Sequence, residues 1–96
     1  MDKTIYYNNL YDYYKELFTD KQKDYFEAYY FNNLSLQEIA DNYKVSRNAI
    51  HNELKLVTKK LDYYEDKLKL YEKRKEIEKI IDNINNDIKD KILDII

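Results

Sequence analysis

The sequence predicts an all-α fold, in which a helix-turn-helix core of about four helices is followed by a long C-terminal helix. Neither glycine nor proline occurs among the 96 residues, and these are the residues that usually mark strands and hairpins. Apolar residues recur at the three- and four-residue spacing of amphipathic helices. The segments between them are short and polar, as expected for helix starts and tight turns.

Two helices are predicted before residue 35. The first is expected from about residue 4 to 18, and the second from about 20 to 31. Thr19 and Gln22 have the spacing of a capping box, which places the start of the second helix between them. Asn32 and Asn33 tolerate left-handed conformations and can end that helix in place of glycine.

The next segment, LQEIADNYKVSRNAIHNEL, predicts two helices joined by a tight turn, at about residues 36–43 and 47–67. Ser35 and Glu38 form a second capping box, and Ser46 can cap the following helix. Helices joined so closely must cross at a small side chain, which Ala40 supplies. The five apolar side chains expected to be buried here are Ile39, Tyr43, Val45, Ile50 and Leu54.

Turning those apolar residues inward leaves a polar face of the second helix exposed. The residues predicted to contact nucleic acid are Ser46, Arg47, Asn48, His51, Asn52, Lys55, Lys59 and Lys60. Arginine can pair with guanine and asparagine with adenine in a major groove, while lysines suit phosphates. A lone exposed histidine such as His51 is more often simply solvated.

The charge distribution favours this segment. The chain as a whole carries a net charge of −2, which argues against a protein that coats DNA generally. Residues 35–61 contain five basic and three acidic side chains, and the segments on either side are both net acidic. The basic excess is therefore local and modest.

Beyond this core, the sequence predicts a second functional element. The spacing of apolar residues from Ile50 to Leu68 is that of a heptad seam, and a helix break is expected near Lys69. Residues 1–70 are therefore interpreted as the helix-turn-helix domain, and residues 71–96 as a C-terminal helix that either dimerises or folds back as a hairpin. The residues predicted at a homodimer interface are Leu61, Tyr64, Leu68, Ile77, Ile81, Ile84 and Ile88.

The amino-acid composition argues against enzymatic, metal-binding and membrane-spanning functions. There is no cysteine and one histidine, and the absence of glycine removes phosphate-binding loops and nucleophile elbows. No enzyme activity, metal or cofactor is predicted, and no apolar run approaches membrane-spanning length, so a cytoplasmic protein without membrane insertion is expected. The acidic residues Asp12, Glu16, Asp62, Glu65 and Asp66 are interpreted as solvated helix surface. Most of the twelve tyrosines are interpreted as core residues rather than platforms for base stacking.

Three segments together resemble the small YlxM-type proteins, whose helix-turn-helix is similar to region four of bacterial sigma factors. They read TDKQKDYFEAYY (residues 19–30), LSLQEIADNYKVSRNAIHNELK (34–55) and LDYYEDKL (61–68). The family commonly has glycine where this chain has Lys44 and Lys69. The resemblance covers about the first seventy residues. It implies a DNA-binding protein whose gene often neighbours those of the signal recognition particle and its receptor.

The sequence leaves three functions open. The leading hypothesis is a DNA-binding regulatory protein, acting as a dimer. The alternative is an accessory protein of the signal recognition particle pathway that binds the particle's protein or RNA. A helical adaptor that binds neither is the third.

Overall fold

The computed structural model describes residues 3–96, which form six α-helices and one short 3-10 turn. The helices are α1 (Thr4–Tyr14), α2 (Asp20–Tyr30), α3 (Leu36–Tyr43), α4 (Arg47–Leu68), α5 (Leu70–Ile80) and α6 (Asn86–Ile95), and the 3-10 turn is Lys15–Leu17. No strand occurs in this part of the chain, so the all-α prediction is confirmed. The first helix ends earlier than predicted because the 3-10 turn follows Tyr14 and the backbone of Phe18 is extended.

The starts of α2 and α3 are fixed by the two predicted capping boxes, and both are confirmed. At α2, the Gln22 amide donates to the Thr19 hydroxyl at 3.2 Å, and the Thr19 amide donates to the Gln22 side chain at 3.0 Å. Ser35 and Glu38 make the same pair of bonds at 3.0 and 3.1 Å. The hydrogen bonds from the Ser35 backbone and hydroxyl hold the pKa of the Glu38 carboxyl below its ordinary value.

Three non-glycine residues in left-handed conformations separate the helices. Asn33, Lys44 and Lys69 have φ of 57°, 57° and 55°. Such a conformation costs an ordinary residue roughly 1–2 kcal/mol. Lys44 ends α3, where the Val45 amide donates to the carbonyl of Ala40 at 3.0 Å, and Lys69 separates α4 from α5. The predicted helix break near Lys69 is therefore confirmed.

The core is built around α4, against which α1, α2 and α3 all pack. The buried core cluster consists of Leu10, Tyr11, Tyr14, Phe18, Tyr25, Phe26, Ala28, Ile39, Ala40, Ile50, Leu54, Val57 and Leu61. Five further tyrosines (Tyr7, Tyr13, Tyr30, Tyr64 and Tyr71) are partly buried against it. The interpretation of most tyrosines as core residues is therefore confirmed.

One acidic residue is placed differently from the expectation. Glu65 was expected on the solvated surface, but its side chain is buried, with 8% of the residue exposed. Its carboxylate accepts a hydrogen bond from the Tyr14 hydroxyl at 2.7 Å and from the amides of Tyr71 and Glu72 at 3.2 and 3.0 Å. The expectation was wrong because these partners lie on other helices.

These bonds fix the joint between α4 and α5. The first amides of a helix have no partner within the helix, and a carboxylate at this position also interacts favourably with the helix dipole. Glu65 satisfies two of these amides, and the Tyr14 hydroxyl accepts from the third, that of Leu70, at 3.2 Å. Burial and the hydrogen bond to Glu65 raise the pKa of Tyr14 to about 12, so its hydroxyl remains a donor at neutral pH.

The C-terminal segment forms two helices rather than the one long helix predicted. The chain leaves α5 at Ile81, and α6 begins after Asn85, whose side chain accepts from the Asp87 amide at 2.7 Å. Asparagine is a favoured cap because its short side chain bonds to the first turn of the helix. Ile81 is buried, whereas α6 itself has no buried residue among those described.

Replacing Glu65 with alanine tests the joint. The change leaves the Tyr14 hydroxyl and two α5 amides without their acceptor, so we expect the free energy of unfolding to fall by about 2–3 kcal/mol. The measurement is urea denaturation followed by circular dichroism. The control is Asp66→Ala on the exposed neighbour, which should change stability by no more than about 0.5 kcal/mol. Equal effects of the two substitutions would contradict the role of Glu65.

Candidate nucleic-acid interface

The candidate interface is positioned by the crossing of α3 and α4. Ile39 and Ala40 of α3 and Ile50 of α4 are fully buried in one cluster, so α3 covers the inner face of the first turns of α4. The expected burial is wrong for Tyr43 and Val45, of which 44% and 39% are exposed. Both lie where α3 ends and the turn begins, beyond the edge of the core.

The first turn of α4 is capped by Ser46, as predicted. The Ser46 hydroxyl oxygen accepts from the Ala49 amide at 3.0 Å. The hydroxyl proton is not used in this bond and can be donated to another group. Because the amides at a helix N-terminus carry partial positive charge, this end of α4 is suited to an anionic oxygen such as that of a phosphate.

The predicted contact residues are accessible on α4. Seven of the eight are exposed: Ser46, Arg47, Asn48, His51, Asn52, Lys55 and Lys59. Six of these belong to α4 itself and lie within about 140° of its circumference, given a turn of 3.6 residues. Lys60 is half-buried and lies about 100° from Lys59, on the flank of the helix. The structure therefore brings together all the predicted residues except Lys60.

The polar groups of this face are available to a ligand. Among residues 3–96, no ion pair or side-chain hydrogen bond involves the side chains of Arg47, Asn48, His51 or Asn52. The side chains of Lys55 and Lys59 are likewise not used. An arginine or asparagine whose donors are unoccupied can bond to a base edge without first breaking a contact within the protein.

The basic face ends abruptly along α4. Asp62 and Asp66 are exposed and fall on the same side of the helix as Lys55 and Lys59. A polyanion would therefore be attracted to the part of the helix between Arg47 and Lys60, a length of about 20 Å, and repelled beyond it. Such a length is compatible with a major groove about 12 Å wide.

The structure has a groove beside this face that the sequence did not predict. It lies between the end of α2, the start of α3 and the middle of α4, and its lining includes Tyr29, Leu36, His51 and Lys55. Tyr29 is exposed, and the sequence did not distinguish it from the tyrosines that lie in the core. Only the packing of three helices reveals this groove, because its residues are distant in sequence.

The predicted dimer residues fall into two groups. Leu61 and Ile81 are 0% and 4% exposed, because the chain itself covers them, so these two have no surface to offer a second copy. Leu68, Ile84 and Ile88 are exposed. Tyr64 and Ile77 are half-buried. An accessible apolar surface thus remains at the end of α4 and along the C-terminal helices.

Residues 3–96 offer neither a metal site nor a membrane-spanning helix. Residues 3–96 contain no group of three or more histidine, cysteine, aspartate or glutamate residues that could hold a metal ion. In the same range, no helix combines the length and apolar character that crossing a membrane requires.

Comparison with known proteins agrees with this geometry. Residues 1–95 match the model of a family described as "Putative helix-turn-helix protein, YlxM / p13 like". A UPF0122 protein of Shouchella clausii is 47% identical over 73 residues, which are 76% of this chain and 67% of the relative. A UPF0122 protein of Bacillus pumilus is 43% identical over 81 residues, 84% and 74% of the two chains. A UPF0122 protein of Listeria innocua is 42% identical over 83 residues, which are 86% of this chain and 76% of the relative. The chain belongs to this family of helix-turn-helix proteins.

Proposed function

We propose that this member of the YlxM/p13-like family is a non-enzymatic regulatory protein that binds double-stranded DNA by placing the first half of α4 in the major groove. One observation carries the proposal: six polar and basic residues of α4 lie on one exposed face, and their side-chain donors are unoccupied within residues 3–96. The relatives come from bacteria, and we place the activity in the cytoplasm, where bacterial DNA lies.

Each residue of the face has a role that follows from its chemistry. Arg47 reads guanine through two parallel hydrogen bonds, and Asn48 and Asn52 read adenine. His51 lies between them on the same face and contacts a base edge or a phosphate. These contacts specify the sequence because the donors and acceptors of a base pair differ in the major groove.

The remaining residues hold the helix against the DNA backbone. Ser46 donates its hydroxyl proton to a phosphate, together with the amides of the first turn of α4. Lys55 and Lys59 pair with phosphates along the groove, and Lys60 reaches the backbone from the flank of the helix. Contacts of this kind supply affinity without sequence preference.

Replacing Arg47 with alanine tests base reading. We expect binding to the preferred sequence to weaken by about 1–3 kcal/mol and the preference at one base pair to relax, since the bidentate contact is lost. The preferred duplex is obtained by selection from genomic fragments, and affinity is measured by fluorescence anisotropy. An Arg47→Ala protein that selects the same motif with the same affinity would contradict the assignment.

Replacing Lys59 with alanine tests the phosphate contacts. Affinity should fall for all duplexes alike, and the slope of log K against log salt should become shallower by about 1, because one fewer counterion is released. Lys67→Ala is the matched control, since Lys67 is an exposed lysine of α4 beyond the two aspartates. If both variants change the slope equally, the contact does not depend on the proposed face.

A second function is favoured by the charge of the C-terminal half. Asp62 and Asp66, with the acidic excess of residues 62–96, suit a protein surface better than a DNA backbone. The alternative is therefore an accessory role in the signal recognition particle pathway. The acidic segment would bind the particle's protein, whereas binding its RNA would use the basic face of α4. The anisotropy titration includes both molecules as separate arms. Tight binding to either of them, without duplex DNA binding, would favour the alternative.

We propose further that the protein acts as a homodimer through apolar side chains at the end of α4 and in the C-terminal segment, chiefly the exposed Leu68, Ile84 and Ile88, together with the half-buried Tyr64 and Ile77. An exposed isoleucine face is typical of surfaces covered by another helix. A dimer would place two α4 helices side by side, and binding to successive major grooves needs them about 34 Å apart.

Sedimentation tests the dimer. We expect a dimer at micromolar concentration for the unmodified protein and a monomer for Ile88→Asp, because a charge would enter the apolar contact. Ile88 is 52% exposed in the single chain, so the substitution leaves the core intact. Asp90→Lys, on the opposite side of α6, is the control and should remain dimeric. If the unmodified protein sedimented as a monomer at micromolar concentration, the proposed homodimer would be contradicted.

A further inference from the structure

The groove beside α4 has the dimensions and lining of a binding site. Its volume is about 390 Å³, within the range of roughly 300–1,000 Å³ that ligand pockets occupy. Tyr29 and Tyr30 line it from α2, and Leu36 of α3 and Leu54 of α4 complete its apolar lining. His51, Lys55 and Thr58 of α4 line the other side. The groove therefore places aromatic rings opposite basic and hydroxyl groups.

The aromatic side of the groove is held by a series of ring contacts that begins in the core. Tyr11 stacks on Phe26 at a centroid distance of 4.2 Å, and Phe26 stacks on Tyr30 at 4.4 Å. Tyr30 then meets Tyr29 edge to face at 5.0 Å. Tyr29, which is 38% exposed, is the last ring of this series. Because its neighbours are fixed, the ring of Tyr29 is held in place without a ligand, which lowers the entropy cost of stacking against it.

The charge of the groove favours an anionic ligand that also has a flat ring. No acidic side chain is among the described residues that line it, and Lys55 supplies a positive charge. Exposed aromatic rings next to lysines are the arrangement by which proteins bind unpaired nucleotides, with the base on the ring and the phosphate on the lysine. A paired base cannot reach such a groove, since its faces are covered by its neighbours in the stack.

We propose that this groove receives one unpaired nucleotide next to a duplex held by α4, with the base stacked on Tyr29 and its phosphate contacted by Lys55 and His51. The inference rests on the proposed nucleic-acid binding and deepens it. His51 and Lys55 belong both to the groove and to the duplex-facing surface, so the two contacts adjoin. The preferred target would then be a duplex interrupted by a bulge or followed by a single strand, in DNA or in RNA.

The experiment compares a short fully paired duplex with the same duplex carrying one extra unpaired nucleotide, in DNA and in RNA versions. Anisotropy titrations at low salt give the ratio of the two dissociation constants for each version. We expect the unmodified protein to bind the bulged form at least about fivefold more tightly, which is the smaller end of the effect of stacking one base on an aromatic ring. A larger ratio for the DNA version agrees with the proposed function, whereas a larger ratio and tighter binding for the RNA version would support the groove and favour the alternative target over duplex DNA.

Three variants locate the effect. Tyr29→Leu should bring the ratio close to one and leave the affinity for the paired duplex unchanged, whereas Tyr29→Phe, which keeps the ring, should retain the preference. Tyr63→Leu is the matched control, because Tyr63 is an exposed tyrosine of α4 beyond the basic face. Circular dichroism establishes that each variant keeps its helical content.

The outcomes separate this inference from the proposed function. Equal affinity of the unmodified protein for paired and bulged forms, with salt-dependent binding to both, would overturn the groove and leave duplex binding intact. A Tyr29→Leu variant that weakens both forms equally would also overturn it. If the protein bound none of the four nucleic acids, the groove and the proposed function would both be overturned.

Discussion

The structure depends on the burial of one stripe of α4. Ile50, Leu54, Val57 and Leu61 recur every three or four residues and are almost completely buried by α1, α2 and α3. Since the helix turns 100° per residue, covering this stripe directs the opposite side of the same helix to water. The orientation of Arg47 and Asn52 therefore follows from the packing of the core, although neither residue takes part in it. A change that rotates α4 against α1, α2 and α3 would move every polar residue of the face together.

The sequence predicts local features well because their determinants lie within four residues of each other. The capping boxes at Thr19 and Ser35 and the helix end at Lys44 need no information from elsewhere in the chain. The polar face of α4 was predicted for the same reason, since it follows from helical periodicity. Lys60 alone lies off this face, on the flank of the helix, because a list of basic residues does not show which side of the helix each one occupies.

Features that depend on distant residues were not predictable. Glu65 resembled any exposed acid of a helix, since its partner Tyr14 lies 51 residues earlier and its other partners follow a helix break. Leu61 was assigned to a dimer interface because it lies in the heptad seam of α4. In the structure α1 packs beside it, with Tyr7 bonded to Asp62 and Tyr14 to Glu65. The sequence did not distinguish Tyr29 from the core tyrosines, because its place at the edge of the core follows from how α2, α3 and α4 meet.

The joint at Glu65 links the two halves of the molecule. One carboxylate is shared by a hydroxyl of α1 and two amides of α5, while its own backbone belongs to α4. The direction in which α5 leaves the core is therefore set by three helices at once. If a second copy binds to the apolar surface that begins at Leu68, the distance between its α4 and that of the first copy is set across this joint. The spacing of two DNA half-sites would then depend on a buried hydrogen-bond network that is remote from every residue touching a base.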